Sequence, residues 1–298
     1  MKILTQNKFT GHKDSIFSLG FESGSNKFYS GAGDGYIVEW NLDGSTDGKL
    51  ICRVNRPVYC FHINQSEGYL LAGTASGNLH VIDLNSSAEI RNIEAHQLGV
   101  YDMKLVGEHL VTAGGDGTVK IWKLKDFSLL QSLNYSEKSA RVISLKPDGS
   151  GFTVGYSDCM IREFIWGEPT FVLEEFKAHD NSVFALAYNT RNHTLLSGGR
   201  DAILKEWNHT NLINELPAHN YHINDIQMSP NGNLFATVSM DKTLKIWDSK
   251  SFKLLKVVDR FKQEAHLNSV NKVKWISNED LITCGDDKLI FHWRIQFD

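Results

Sequence analysis

Trp40, Trp122, Trp207, Trp247 and Trp293 each close a segment of one form: "DGYIVEW", "DGTVKIW", "DAILKEW", "DKTLKIW" and "DKLIFHW". An Asp stands six positions before each Trp (Asp34, Asp116, Asp201, Asp241 and Asp287). A Ser or Thr stands four before each Asp: Ser30, Thr112, Ser197, Thr237 and Thr283. Further upstream, after a Gly or Ala, comes a His: His12, His96, His179, His219 and His266. A motif recurring at one period marks a chain built from supersecondary units that share a continuous core.

Two of the intervals between these tryptophans are double length, and each holds a worn copy. In "YLLAGTASGNLHVIDL" Ser76 takes the Asp place and Ile82 the Trp place. In "GFTVGYSDCMIREF" Asp158 survives and Phe164 replaces Trp. The His and hydroxyl places then fall on Val54 and Ala72 in the second repeat, and on Lys138 and Val154 in the fourth. Five clear copies and two worn ones make seven.

Within each repeat, apolar and polar residues alternate over short runs bounded by Gly, Asn, Asp and Ser, which predicts strands. "SPNGN" and "KPDGS" read as hairpin turns, and the later "DG" and "DK" pairs as a second tight turn. With 24 Gly against 5 Pro and 11 % aromatic residues, the composition suits short strands and tight turns. The chain is therefore expected to be all-β, with about four strands per repeat.

The His, Ser/Thr, Asp and Trp spacing resembles the WD-repeat (WD40) family along essentially the whole chain. The resemblance implies a seven-bladed β-propeller of four-stranded antiparallel blades, one domain over residues 1–298. The last repeat reaches its Trp strand only at Trp293. Residues 2–9, "KILTQNKF", are expected to pair into that blade, closing the ring and covering an open edge. The resemblance also implies that each Trp indole donates to the Ser/Thr hydroxyl, which meets the His, which meets the Asp. A Ser, a His and an Asp suggest a hydrolase triad, but a set recurring five times reads as scaffolding. No catalytic residue is assigned.

The stretches "SIFSLGF", "PVYCFHI", "GVYDMKL" and "SVFALAY" each place an aromatic one residue after an Ile or Val. In the family, recognition commonly uses the top face, at three and five residues after the His and one before the Asp. Carried over, those positions give Phe17, Tyr59, Tyr101, Phe184, Arg200, His222, Asn224, Met240 and Asp286, with Arg141, Ile143 and Ser157 in the fourth repeat. Phe17, Tyr59 and Tyr101 are expected to share one sector, left uncovered by Gly33 and Gly115. Phe184, Met240, His222 and Arg200 are expected to continue the other side. Aromatic residues, Met and Arg are common interface anchors.

Other chemistry is thinly represented. Cys52, Cys60, Cys159 and Cys284 form no CxxC pair and read as reduced core residues. No metal site and no cofactor is expected. A net charge of −4 gives no general attraction to nucleic acid or anionic lipid. The run Lys242, Lys245, Lys250, Lys253, Lys256, Arg260 and Lys262 reads as the solvated edge of a blade, and "VDRFKQEA" as a long loop between blades. No signal peptide or membrane span is read, so a cytoplasmic protein, monomeric by itself, is expected. The function that follows is a non-catalytic scaffold binding a protein or peptide. The alternatives are a histone-tail or nucleic-acid reader and, last, an enzyme with a site at the channel mouth.

Overall fold

The computed structural model describes residues 1–21, 24–45, 47–64 and 67–297. Strand β1 (Lys2–Phe9) precedes seven groups of strands. The first repeat forms β2 (Ile16–Phe21), β3 (Lys27–Ala32), β4 (Tyr36–Asn41) and β5 (Lys49–Arg53). The second forms β6 (Val58–Asn64), β7 (Tyr69–Thr74), β8 (Asn78–Asp83) and β9 (Ala88–Glu94). The third and fourth give β10 (Val100–Val106), β11 (His109–Gly114), β12 (Thr118–Lys123), β13 (Leu129–Asn134), β14 (Ala140–Leu145), β15 (Gly151–Tyr156), β16 (Met160–Ile165) and β17 (Phe171–Lys177). The fifth and sixth give β18 (Val183–Asn189), β19 (Thr194–Gly199), β20 (Ile203–Asn208), β21 (Asn211–Pro217), β22 (Ile223–Met228), β23 (Leu234–Ser239), β24 (Leu244–Asp248) and β25 (Lys253–Val258). The seventh adds β26 (Val270–Trp275), β27 (Asp280–Gly285) and β28 (Ile290–Gln296).

These make seven four-stranded sheets, six of them in plain chain order. The seventh runs β1-β28-β27-β26, so its outer strand is the N-terminal one, as the sequence predicts. β1 lies antiparallel to β28 from Lys2 opposite Gln296 to Phe9 opposite Ile290, and it buries Ile3 and Phe9.

The contacts divide the chain into two compact units. One holds residues 1–72, 80–92 and 224–298. In it the first sheet packs on the second through Tyr29, Ile37, Val58 and Leu70, and on the seventh through Phe28, Ile16, Ile282 and Ile290. The sixth and seventh sheets share Val238, Ile246, Val273 and Phe291. The other unit holds residues 73–79 and 93–223. Here Val111 and Val119 of the third sheet meet Ile143 and Phe152 of the fourth, and Val142 and Ile161 meet Val183 and Leu186 of the fifth. Alternation along each inner strand supplies an apolar residue to both faces, which is how stacked sheets exclude water.

The residue after each Asp place has a left-handed backbone in all seven repeats: Gly35, Gly77, Gly117, Cys159, Ala202, Lys242 and Lys288, with φ from 66° to 88°. The Asp carboxylates of six repeats accept the amide two residues on, as Asp34 does from Tyr36 and Asp201 from Ile203. That Asx turn sets the left-handed residue. At Gly35, Gly77 and Gly117 a Cβ would lie 2.0–2.1 Å from the carbonyl oxygens of Val54, His96 and Ser136. Those three carbonyls occupy one equivalent place. The His place of the fourth repeat is therefore Ser136, not Lys138, and the sequence alignment there is two residues out of frame.

The basic run lies on β24, β25 and the segment after it, with Lys250, Lys253, Arg260 and Lys262 exposed. Cys60 and Cys284 are buried, whereas Cys52 and Cys159 are half-buried.

Candidate functional site

Four His–hydroxyl–Asp–Trp sets are bonded in full. In the first repeat Trp40 Nε1 donates to Ser30 Oγ at 2.7 Å, Ser30 Oγ lies 2.7 Å from His12 Nε2, and His12 Nδ1 is 3.3 Å from both Asp34 oxygens. Trp122–Thr112–His96–Asp116, Trp207–Ser197–His179–Asp201 and Trp293–Thr283–His266–Asp287 repeat it, with every link between 2.8 and 3.0 Å. In the sixth repeat Trp247 Nε1 donates to Thr237 at 2.9 Å, and His219 is buried. Because indole only donates, one neutral tautomer satisfies each chain: the hydroxyl donates to Nε2 and Nδ1–H donates to Asp. Each of these hydroxyls is fully buried and its oxygen accepts an indole N–H, and the sets serve as struts between strands.

The worn repeats substitute other devices. Val54, Ala72 and Ile82 fill the second with apolar contact. In the fourth, Phe152 and Phe164 stack at 4.9 Å, while Arg162 lies 4.6 Å over Tyr156 and donates to Asp158 and Glu175.

These networks predict how stability depends on pH. Burial opposes charge at Asp116, but the bonds from His96, the Gln97 amide and Thr118 outweigh it and hold the carboxyl below its usual range. Asp201 and Asp287 are lowered in the same way against burial, by His179 and His266. Burial also lowers His12 and His292, against the pull of Asp34 and Asp280. In all five groups the unfolded chain binds protons more readily, so stability rises with pH. The histidine share is present above about pH 6.5 and is lost as pH falls below it; the carboxylate share is lost below about pH 4. Urea midpoints measured from pH 8 to pH 3 should fall in those two stages. A midpoint flat down to pH 4 would contradict the histidine share.

Five of the expected contact positions sit at a bulge and are half-buried. In β2, β10, β14, β18 and β26 the register slips by one residue, between Ile16 and Ser18, Val100 and Asp102, Ala140 and Val142, Val183 and Ala185, and Val270 and Lys272. The residue left unpaired is Phe17, Tyr101, Arg141, Phe184 or Asn271. A bulge re-aims its side chain out of the alternation, so the flanking Ile or Val stays in the core and the bulged residue leaves it. This corrects the reading of the fourth repeat: the bulged residue is Arg141, and Ile143 is buried.

In the first unit Phe17 and Tyr59 meet edge to face at 5.5 Å. Asn224 Nδ2 donates to Ser269 Oγ and the Val270 carbonyl, and Asn271 Nδ2 donates to Asp286 and the Ile16 carbonyl. Met240 is 45 % exposed.

In the second unit a continuous line forms. The Arg141 guanidinium lies 4.2 Å over Tyr101 and 5.4 Å over Phe184, its Nε donating to Ser157 Oγ at 2.9 Å. Phe184 then meets His222 at 5.7 Å. Burial, aided by the nearby Arg200, pushes the His222 imidazole down from its ordinary value; Arg200 itself is exposed. Two expectations change here. Tyr101 is not uncovered, since Arg141 lies over it and Gly115 packs against its ring, while Gly33 abuts Asp14 rather than an aromatic ring. Phe184 joins Tyr101 instead of opposing it.

Sequence reasoning missed a cavity of about 800 Å³ walled by His109, Leu130, Gln131, Trp166 and Pro169, with Trp166 stacked on His109 at 6.0 Å. Its walls come from β11, β13 and the segment after β16, which no recurring motif marks. Among the described residues no three His, Cys, Asp or Glu side chains converge as a metal site would require, and no helix is long and apolar enough to cross a membrane.

Seven four-stranded antiparallel sheets, with a strut set recurring in step with them, define a β-propeller. The sequence profile described as "WD domain, G-beta repeat" matches residues 4–41, 87–123, 170–208, 210–248 and 256–294, and the chain belongs to that family. It is 24 % identical to the intraflagellar transport protein 80 homolog of Mus musculus over 97 % of this chain and 38 % of that one. It is 25 % identical to the serine-threonine kinase receptor-associated protein of Rattus norvegicus over 84 % of this chain and 72 % of that one. The chain thus spans less than half the length of the mouse transport protein. The crystal structure of the WD40 beta propeller domain of Doa1 has the same fold, with a TM-score of 0.86 at 20 % identity over 99 % of this chain and 97 % of that one.

Proposed function

We propose that residues 1–298 act as one propeller domain, a non-catalytic scaffold that binds a protein or peptide on the face carrying the bulged residues. The observation behind this reading is that the bulge recurs in five sheets and in three of them turns out an aromatic residue, in a fourth an arginine. Aromatic residues and arginine are the types that anchor contact surfaces, which supports this reading. Relatives named for transport and for receptor association are compatible with work in complexes. A cytoplasmic location, a monomeric state in isolation and independence of nucleic acid belong to the same proposal.

A reader of lysine tails would need an open aromatic cage, and Arg141 already fills the space between Tyr101 and Phe184. Catalysis would need a general base or nucleophile outside the struts, and Asp286 is held by Asn271 instead.

The test compares proteins recovered from native extract by wild type, by Phe17→Ala/Tyr59→Ala, by Tyr101→Ala/Phe184→Ala, and by the control Leu212→Ala on the outer strand β21. Partners held by wild type and the control should be lost from at least one of the double variants. Identical recovery by all four would sink the assignment of the face.

A further inference from the structure

Arg141 is held more firmly than a surface arginine needs to be, yet most of its hydrogen-bonding capacity is unused. Two rings flank the guanidinium and Ser157 Oγ takes Nε–H. The four N–H groups on Nη1 and Nη2 meet no acceptor among the described residues. An arginine presents five donors, and here a single one is satisfied inside the protein. The charge is equally uncompensated. The nearby acids are committed elsewhere: Asp102 to Lys104 and the Ile143 amide, Asp158 to Arg162, Asp180 to Lys177. Arg200 and Lys138, both exposed, form no ion pair among the described residues, and Arg200 lies near His222.

We infer that Arg141 is the recognition point for an aspartate or glutamate side chain of a bound peptide, its carboxylate taken by Nη1–H and Nη2–H while flanking apolar residues pack beside the half-buried Tyr101 and Phe184. This deepens the scaffold reading and rests on it. The chemistry favours a carboxylate. A guanidinium stacked on rings cannot turn, so it offers one planar edge, and a carboxylate matches that edge with two parallel bonds. A phosphate dianion would bring its additional charge toward the electron-rich faces of Tyr101 and Phe184. The loss of rotamer freedom that normally opposes binding through arginine is already met in the free protein, because the side chain is clamped beforehand.

The test pans a displayed library of random 12-residue peptides on wild-type protein, then measures enriched sequences by fluorescence polarisation. Enriched peptides should share an Asp or Glu beside an apolar residue. Replacing that acid by Asn or Gln should weaken binding roughly tenfold or more, the size expected for charge-assisted bonds. Arg141→Lys should cost about as much, since lysine keeps the charge but loses the fork, with an unchanged melting temperature showing that the fold is intact. Arg141→Gln serves as the second variant should the lysine form melt early.

Peptides that lose binding with Tyr101→Ala but ignore both the acid replacement and Arg141→Lys would overturn the carboxylate while leaving the face in place. Tighter binding when phosphoserine replaces the acid would assign the site to phosphate and likewise overturn it. Absence of any enriched peptide sensitive to Tyr101→Ala or Phe184→Ala would overturn the peptide-binding face and the carboxylate together.

Discussion

Trp293→Ala should lower the free energy of unfolding by about 3–5 kcal/mol, the usual cost of emptying a large buried aromatic site. Trp293 is fully buried, stacks on Phe291 at 5.1 Å and donates its indole N–H to Thr283 at 2.8 Å. It also sits in β28, the strand that bonds β27 on one side and β1 on the other. Removing it therefore opens a cavity and strips Thr283 of its donor. Trp293→Phe keeps a ring but loses the N–H and part of the volume, so it should cost an intermediate amount, at least about 1 kcal/mol. Phe297→Ala, at a side chain 59 % exposed, should change stability by less than about 0.5 kcal/mol. Urea unfolding followed by tryptophan fluorescence measures all three. A loss below 1 kcal/mol for the alanine variant would show that the strut set carries no weight in the seventh blade.

Deleting residues 1–9 should be more damaging still. The deletion removes Ile3 and Phe9 from the core, each worth about 2–5 kcal/mol when lost from a buried site. It also strips β28 of a whole ladder of backbone partners. An exposed β28 edge with Phe291, Trp293 and Ile295 behind it is a template for pairing with another chain. The expected result is aggregation on size-exclusion chromatography, or a melting temperature lowered by more than 10 °C, consistent with a loss well above 2 kcal/mol. A monomeric truncated protein with unchanged melting would show that the N-terminal strand is dispensable.

Much of this architecture is legible without coordinates, and the reason is periodicity. Asp34 and its five Asp counterparts, with Ser76 in the second repeat, recur because one turn geometry recurs. The left-handed residue that follows each of them is Gly in three repeats and Cys159, Ala202, Lys242 and Lys288 in the rest. The motif is thus readable from the Asp even where the glycine has gone. The N-terminal strand was predictable because the seventh repeat is one strand short. The fourth repeat has no His to count from, so its spacing points to Lys138 where the structure places Ser136. The pattern "SARVIS" carries a usable signal nonetheless: a small residue, an apolar one, then a variable one, as in "GVYDM" and "SVFAL".

The sequence alone determined the seven repeats, the strand content, the pairing of the N-terminal strand and the residues that serve as struts. Each of these follows from interactions within a repeat or from a strand edge that must be covered, and such interactions leave a spacing in the chain. Only the tertiary structure decided that Tyr101, Arg141 and Phe184 form one stack with Ser157 beneath it and two guanidinium nitrogens left over. Those residues lie about one repeat apart, and their contact depends on a bulge in each first strand and on how neighbouring sheets pack. Neither quantity is written in the local alternation of residues, because a one-residue bulge changes where a side chain points without changing which residues are apolar.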